Sequence, residues 1–379
     1  MRKLKAFLLS AFLLASVFTF ANGQGEGDTI KIGAIMPISG PISTYGITTR
    51  DGIQMAVDEY NAAGGVLGHQ IELIVEDNKL DAGETVTAFK KLVDQDEVVG
   101  LVGALASSMT LSIVDLAQES QIPMITPTST NDTVTSAGDY IFRACYSDSF
   151  QGSVVAQFAA EDLKTMKAAI LFDVANDYSV GLAKNFTAKF ESLGGTIVAS
   201  ESYATGDKDF NAQITKIKAQ NPDVLFLPDY YSTVALITKQ VESAGLDVPM
   251  LGADGWDTIT DSAGDEIIGS YYSNHYSPES DDADVRSFVD KYTEAYGETP
   301  NALAALGYDA AQILIEAIKR AGSTDPEAIK KEIAATNAKF VTGNISFTSI
   351  GDTIKSAVMV EIVKKDGALT TSYAGTVNP

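Results

Sequence analysis

Two segments in the first half of the chain gather hydroxyl side chains directly behind apolar, β-rich runs. They read Val98-Val99-Gly100-Leu101-Val102-Gly103-Ala104-Leu105-Ala106-Ser107-Ser108-Met109-Thr110 and Ile122-Pro123-Met124-Ile125-Thr126-Pro127-Thr128-Ser129-Thr130. Hydroxyls and free backbone N–H groups at the carboxyl ends of parallel strands cradle a small anion such as a carboxylate. Ser107 has a second reading, because it opens a helix that its own side chain could cap. A zwitterionic ligand would also need a fixed carboxylate for its ammonium group. Asp254 is the candidate: it follows a strand in Leu251-Gly252-Ala253-Asp254-Gly255-Trp256, beside the only tryptophan of the chain. An acid next to an aromatic suits an ammonium by charge and by cation–π contact, although an Asp-Gly turn with a structural Trp explains the same residues. Tyrosines recur at other turns: Tyr178, the pair Tyr230 and Tyr231, and Tyr45 beyond Gly40-Pro41. One such tyrosine is packing, whereas several facing one cleft would exclude water around a small ligand.

Covalent chemistry finds little support. His69 and His275 are the only imidazoles, and neither lies in a catalytic motif; His69, behind the Gly64-Gly65 turn, reads as a surface histidine. Nucleophile-elbow, phosphate-loop and dinucleotide-turn patterns are absent, and so is a calcium loop. With one cysteine and two distant histidines, neither a metal nor a cofactor is expected, and the chain is read as a non-enzyme.

Elements that could position the hydroxyls and Asp254 are legible in the hydrophobic rhythm. The first half alternates strands, at 29–36, 71–75, 98–102 and 124–125, with helices over about 53–63, 83–94 and 107–119. That order predicts a parallel sheet covered on both faces. The rhythm restarts after about Asp148, with strands at 168–172, 196–200, 224–227 and 250–251, and helices near 154–163, 180–193, 210–219 and 233–244. Helices over 285–296, 302–321 and 326–334 and a β-rich tail over 343–363 complete the chain. No Pro/Gly/Ser-rich linker separates the two α/β layers.

The bulk properties set the context. Met1-Arg2-Lys3-Leu4-Lys5, an apolar run to Phe20 and small residues at Ala21 and Gly23 predict a signal peptide over residues 1–23 and an exported, soluble product. The roughly 350 remaining residues exceed a single core and predict two domains. The formal charge of −23 opposes binding to nucleic acid or anionic lipid. Cys145, in the apolar run Ile141-Phe142-Arg143-Ala144-Cys145, is expected to be buried and cannot form an internal disulfide.

Several segments together resemble the type I periplasmic binding proteins, specifically the leucine/isoleucine/valine-binding components of bacterial ABC importers. They are Ile32-Gly33 leading to Ser39-Gly40-Pro41 and Tyr45-Gly46, then Asn61-Ala62-Ala63-Gly64-Gly65-Val66-Leu67-Gly68, Ser107-Ser108-Met109-Thr110, Ile125-Thr126-Pro127, Asp148-Ser149-Phe150-Gln151-Gly152 and Gly307-Tyr308-Asp309-Ala310. The resemblance implies two doubly wound, Rossmann-like α/β lobes joined by three hinge crossovers. One lobe would comprise residues 24–147 and 277–354, the other 148–276 and 355–379. It implies that Ser107 and Thr130, with the backbone around Ala106 and Thr128, bind an α-carboxylate. Asp254 would take the α-ammonium, with Tyr178, Tyr230 and Asp148 around it, while Tyr45, Leu105, Trp256 and Leu303 would line a side-chain pocket. The partners implied are a free amino acid, branched-chain or otherwise aliphatic, and the permease and ATPase subunits of an importer, with the protein itself a monomer in the periplasm or at the cell exterior. The chain departs from the family where Asp254 replaces a longer Glu, Thr128 a small apolar residue and Leu303 an aromatic, and where a cysteine pair is missing. Alternatives on the same fold are an aromatic amino acid, an amide or a short peptide as ligand, or a sensor role; a hydrolase is the rival from another class.

Overall fold

The computed structural model describes residues 29–378, so the expected signal segment over 1–23 lies outside the described residues. Five parallel strands, β1 (Ile30–Met36), β2 (Ile71–Asp77), β3 (Leu101–Gly103), β4 (Met124–Thr126) and β5 (Ile141–Arg143), form a first sheet in the order β2-β1-β3-β4-β5. Its inner strands are apolar on both sides, as burial of both faces requires. On one face Ile35, Leu101, Met124 and Ile141 meet Phe89 and Leu92 of α2 (Ala82–Asp94) and Val114 of α4 (Val114–Glu119), which follows the short α3 (Ser107–Leu111). On the other, Ala34, Val102, Ile125 and Phe142 meet α1 (Ser43–Ala62) and a late helix, α10 (Ala302–Ala321).

The second sheet contains β6 (Lys167–Asp173), β7 (Thr196–Tyr203), β8 (Val224–Phe226), β9 (Met250–Gly252), β10 (Tyr271–Asn274), β13 (Ala357–Lys365) and β14 (Ala368–Val377) in the order β14-β13-β10-β9-β8-β6-β7. β13 and β14 run antiparallel at its edge. Ile170, Phe226 and Leu251 pack under α5 (Asp148–Gln157) and α6 (Asp177–Ser192), while Leu171, Leu225 and Met250 pack under α7 (Asn211–Ala219) and α8 (Tyr231–Ser243). α9 (Ala283–Tyr296), α10, α11 (Pro326–Ala334) and the hairpin β11 (Asn337–Phe340) and β12 (Gly343–Ser346) intervene before β13. The chain therefore passes between the sheets three times, at residues 144–147, 275–282 and 347–356. The result is the type I periplasmic binding protein fold.

Two glycines show why α10 returns to the first sheet. A Cβ on Gly52 would lie 2.0 Å from the Ala304 carbonyl oxygen, and one on Gly307 would lie 2.4 Å from that of Thr49, so α1 and α10 touch backbone to backbone. Asp309, two residues after Gly307, accepts from the backbone N–H groups of Val341 and Thr342 and so ties α10 to the β11–β12 loop.

Some element limits differ from the sequence-based expectation. The helix expected over 107–119 breaks at Ser112, whose hydroxyl turns back onto the Met109 carbonyl. The helix expected from 154 begins at Asp148, because the Ser147 hydroxyl accepts from the Phe150 N–H as an N-cap. The strand expected over 98–102 shortens and shifts to β3 at Leu101–Gly103, and four strands were not expected: β5, β10, β11 and β14. β5 and β10 are three and four residues long and are held by lateral pairing, which local pattern does not encode.

Candidate functional site

The carboxyl ends of β3 and β4 deliver the two hydroxyl clusters to one edge of the first sheet. Ser107 is the first residue of α3, whose N-cap is Ala106 without a side-chain cap, so the capping role is not the one Ser107 plays. The Ser107 hydroxyl instead accepts from the Asn131 N–H at 3.3 Å. The opening N–H groups of a helix have no partner within it and point outward along its axis. The Thr128 hydroxyl donates to the Leu105 carbonyl at 2.7 Å and locks the two turns together. Behind them the fully buried Arg143 donates to the carbonyls of Ser129, Thr130 and Asn131 and lies 2.7 Å from Asp352. A guanidinium with several fixed donors is well suited to hold a turn whose carbonyls face inward.

The second sheet supplies the opposite wall. Tyr178, Tyr230 and Asp254 follow β6, β8 and β9, and the rings of Tyr178 and Tyr230 stack at 5.1 Å. The Oδ1 of the buried Asp254 carboxylate accepts from the Tyr178 hydroxyl at 2.8 Å, and its Oδ2 lies 2.9 Å from His275 Nε2. Burial depresses the His275 imidazole to about pKa 4, against the opposing pull of Asp254, so the ring is neutral at neutral pH. Among the described residues, no Lys or Arg pairs with Asp254. Bonds from both sheets close over the space between them. The Tyr45 hydroxyl reaches the carbonyls of Gly255 and Asp257 at 2.6 and 3.0 Å, Asn131 donates to the Asp177 carbonyl, and the Ala302 N–H donates to Asp257.

What remains between the walls is a narrow cavity bordered by Tyr45, Leu105, Ala106, Ser107, Thr128, Tyr178, Tyr230, Asp254, Gly255, Leu303 and Leu306. Donors at one end, a carboxylate at the other and leucines with aromatic rings around them form a small, polarised and largely apolar enclosure.

A family model for periplasmic binding proteins matches residues 29–368. The chain belongs to the periplasmic binding protein family. It is 32% identical over 356 residues to a leucine-, isoleucine-, valine-, threonine- and alanine-binding protein of Pseudomonas aeruginosa, covering 93% of this chain and 94% of that one. Among solved structures it resembles the leucine-binding protein LivK of Thermotoga maritima, at 36% identity and TM-score 0.86, covering 93% of this chain and 99% of that one. It also resembles the branched-chain amino acid transporter substrate-binding protein LivJ of Streptococcus pneumoniae in complex with isoleucine, at 34% identity and TM-score 0.85, covering 93% and 100%. The family and these relatives are binding proteins and not enzymes.

In this periplasmic binding protein three of the residues singled out from the sequence lie off the cavity wall. Trp256 is completely buried: its Nε1 donates to the Leu227 carbonyl and its indole packs on Gly252, so it props the Asp254 turn from behind instead of lining a pocket. Thr130 and Asp148 form a layer behind the hydroxyl turns. The Asp148 N–H donates to the Thr130 carbonyl at 2.7 Å, while the Thr130 hydroxyl and Asp148 Oδ2 are buried without a well-formed hydrogen bond. Burial pushes the Asp148 carboxyl up to about 8; hydrogen bonding from Thr130 and Gln151 opposes this and the nearby Asp254 adds to it. Other site residues had no separate place in the sequence reading. Leu306 lies one turn beyond Leu303 on α10, a helical spacing that could have revealed it. Gly255 sits where a Cβ would meet the Tyr178 hydroxyl at 2.7 Å, and His275 and Arg143 act through bonds that only the folded chain brings together. His69 is exposed in its turn, and Cys145 is buried with its thiol pushed up to about 12 by burial.

Proposed function

We propose that this protein is the extracytoplasmic solute-binding component of an ABC importer for a free aliphatic amino acid, captured between the two lobes and delivered to a membrane permease. The observation that carries the proposal is the buried Asp254 carboxylate, which has no Lys or Arg partner among the described residues, on the same cavity as the Ser107 and Thr128 turns. A zwitterion satisfies both ends at once, its ammonium at Asp254 and its carboxylate at the N–H and hydroxyl donors around Ala106, Ser107 and Thr128. Leu105, Leu303 and Leu306 provide an apolar seat for the side chain, in keeping with relatives named for leucine, isoleucine and valine. Thr130 and Asp148 support the hydroxyl turns from behind.

The three crossings at 144–147, 275–282 and 347–356 are the hinge in this reading, and the bonds made by Tyr45, Asn131 and Ala302 are the latches of a closed form. A fold relative only 22% identical, a solute-binding protein of Rhodopseudomonas palustris, is in complex with benzoate. An aromatic acid without an amino group would leave Asp254 buried and unpaired, which favours the amino acid.

A thermal-shift screen over the common amino acids, with glutamine, a dipeptide and benzoate included, tests the reading. Leucine, isoleucine and valine are expected to stabilise most, because a ligand at 100 times its Kd adds about 2.7 kcal/mol. No shift with any amino acid would overturn it.

A further inference from the structure

His275 reaches the site from the second crossing, immediately after β10. Its side chain is fully buried, with the ring stacked 3.8 Å from that of Tyr146 on the first crossing. Nε2 lies 2.9 Å from Asp254 Oδ2, and Nδ1 has no hydrogen-bond partner among the described residues. A hydrogen bond to a carboxylate oxygen requires the proton on Nε2. The neutral ring then turns its bare acceptor toward the unpartnered side and leaves no buried N–H unsatisfied. A protonated ring would leave an N–H stranded at Nδ1 and would hand Asp254 a full counter-ion.

We infer that His275 is a positioning residue of the ammonium subsite, a neutral donor that aims the Asp254 carboxylate at the ligand without cancelling its charge and ties that carboxylate to two of the three crossings. The inference rests on the amino-acid reading above. Protonation of His275 and binding of the ligand's ammonium compete for one carboxylate, so by linkage each weakens the other. The groups that face the ring set the balance. Asp254 favours the imidazolium, while burial, the largest influence, and Lys355 on the third crossing oppose it. Burial lowers Lys355 in turn to about 8, against the pull of Asp309 and Cys145. Asp148 and Cys145 lie on the side of Tyr146. At neutral pH the ring is in its donor form, and acidification erodes binding through His275.

The chain has two histidines, so a His69→Gln background leaves a single imidazole for 15N NMR. The expected spectrum shows the Nε2–H tautomer, with an imidazole pKa that falls when leucine is added. Calorimetry with leucine at about pH 7.5 should show His275→Ala weakening affinity by about 10- to 100-fold, the loss of one hydrogen bond to a charged group. His275→Gln, which keeps a donor at the same reach and cannot titrate, should retain most of the affinity and lose the decline expected of the wild type as pH falls through about 4. An Nδ1–H tautomer, or His275→Ala with unchanged affinity and unchanged pH profile, overturns the inference. If His275→Ala does not fold, the tautomer and the His275→Gln pH profile decide it. Failure of the underlying reading looks different: the wild-type protein would bind no amino acid at all.

Discussion

Replacing Asp254 by Asn removes one charge from the cavity and almost no volume. In the bound state the ligand's ammonium would then be buried against a neutral amide. Removing one partner of a buried ion pair costs about 3–5 kcal/mol. At about 1.4 kcal/mol per decade, Kd should rise by roughly two to three and a half orders of magnitude. The structure adds a second effect. Asp254 accepts from Tyr178 and from His275 at once, but an amide oxygen can serve only one of them. The Tyr178 hydroxyl also accepts from the Gly255 N–H, so it can be turned at modest cost. His275 can accept from the amide only by moving its proton to Nδ1, which is buried without a partner, at a cost of about 1–3 kcal/mol. Relief of the buried charge offsets that cost in the free protein, so the melting temperature should move by only a few degrees while binding collapses. Isothermal titration with leucine, paired with circular dichroism to show the fold intact, measures both. An Asp254→Asn protein that binds leucine within about fivefold of the wild type would refute the assignment and move the ammonium to another carboxylate, Asp148 first.

Tyr45→Phe removes the hydroxyl shared by the Gly255 and Asp257 carbonyls across the cleft; it should weaken leucine binding by about 2- to 12-fold, from about 0.5–1.5 kcal/mol, with no loss of stability in the ligand-free protein. Asp148→Asn tests a pH dependence. With the folded carboxyl near 8, above its ordinary value of 3.8, the native state keeps a proton that the unfolded chain releases, so wild-type stability falls as pH rises from about 4 to about 8. The variant should match the wild type near pH 4 and exceed it by on the order of a few kcal/mol near pH 8 in urea unfolding, and a wild-type curve that rises over this window would contradict the assignment. Arg143→Met strands the carbonyls of Ser129, Thr130 and Asn131 and leaves Asp352 without its ion pair; denaturant unfolding should show a loss of about 3–5 kcal/mol, and a loss below about 1 kcal/mol would mean that the turn is held by other contacts.

Much of the fold and of the site is legible in the residues themselves. Alternation such as Ala34/Ile35 and Val102/Leu101 sends successive side chains to opposite faces, and those faces meet α1 with α10 and α2 with α4. The strand-end hydroxyls and Asp254 were legible because a parallel strand delivers whatever follows it to one edge of the sheet, a consequence of chain direction alone. The family resemblance put Trp256 on the pocket wall, whereas the residues alone also allowed a structural Trp beside an Asp-Gly turn, and the choice depends on distant partners. Trp256, adjacent to Asp254 in sequence, turns away because Gly252 opens a slot for its indole and the Leu227 carbonyl takes its N–H.

The sequence by itself determined two α/β layers, the donor turns after β3 and β4, the acidic turn after β9 and the absence of a motif for covalent chemistry. These follow from periodicity and residue type over a dozen positions or fewer. Only the tertiary structure decided which groups share one cavity, that His275 and Tyr178 divide the two oxygens of Asp254, that Arg143 clamps the hydroxyl turn, and that Asp148 is raised by burial. The physical reason is desolvation and contact between segments that lie far apart in the chain, as where Tyr45 meets Gly255, 210 residues away. No local pattern carries those pairings, and they set the charge of each group in the site.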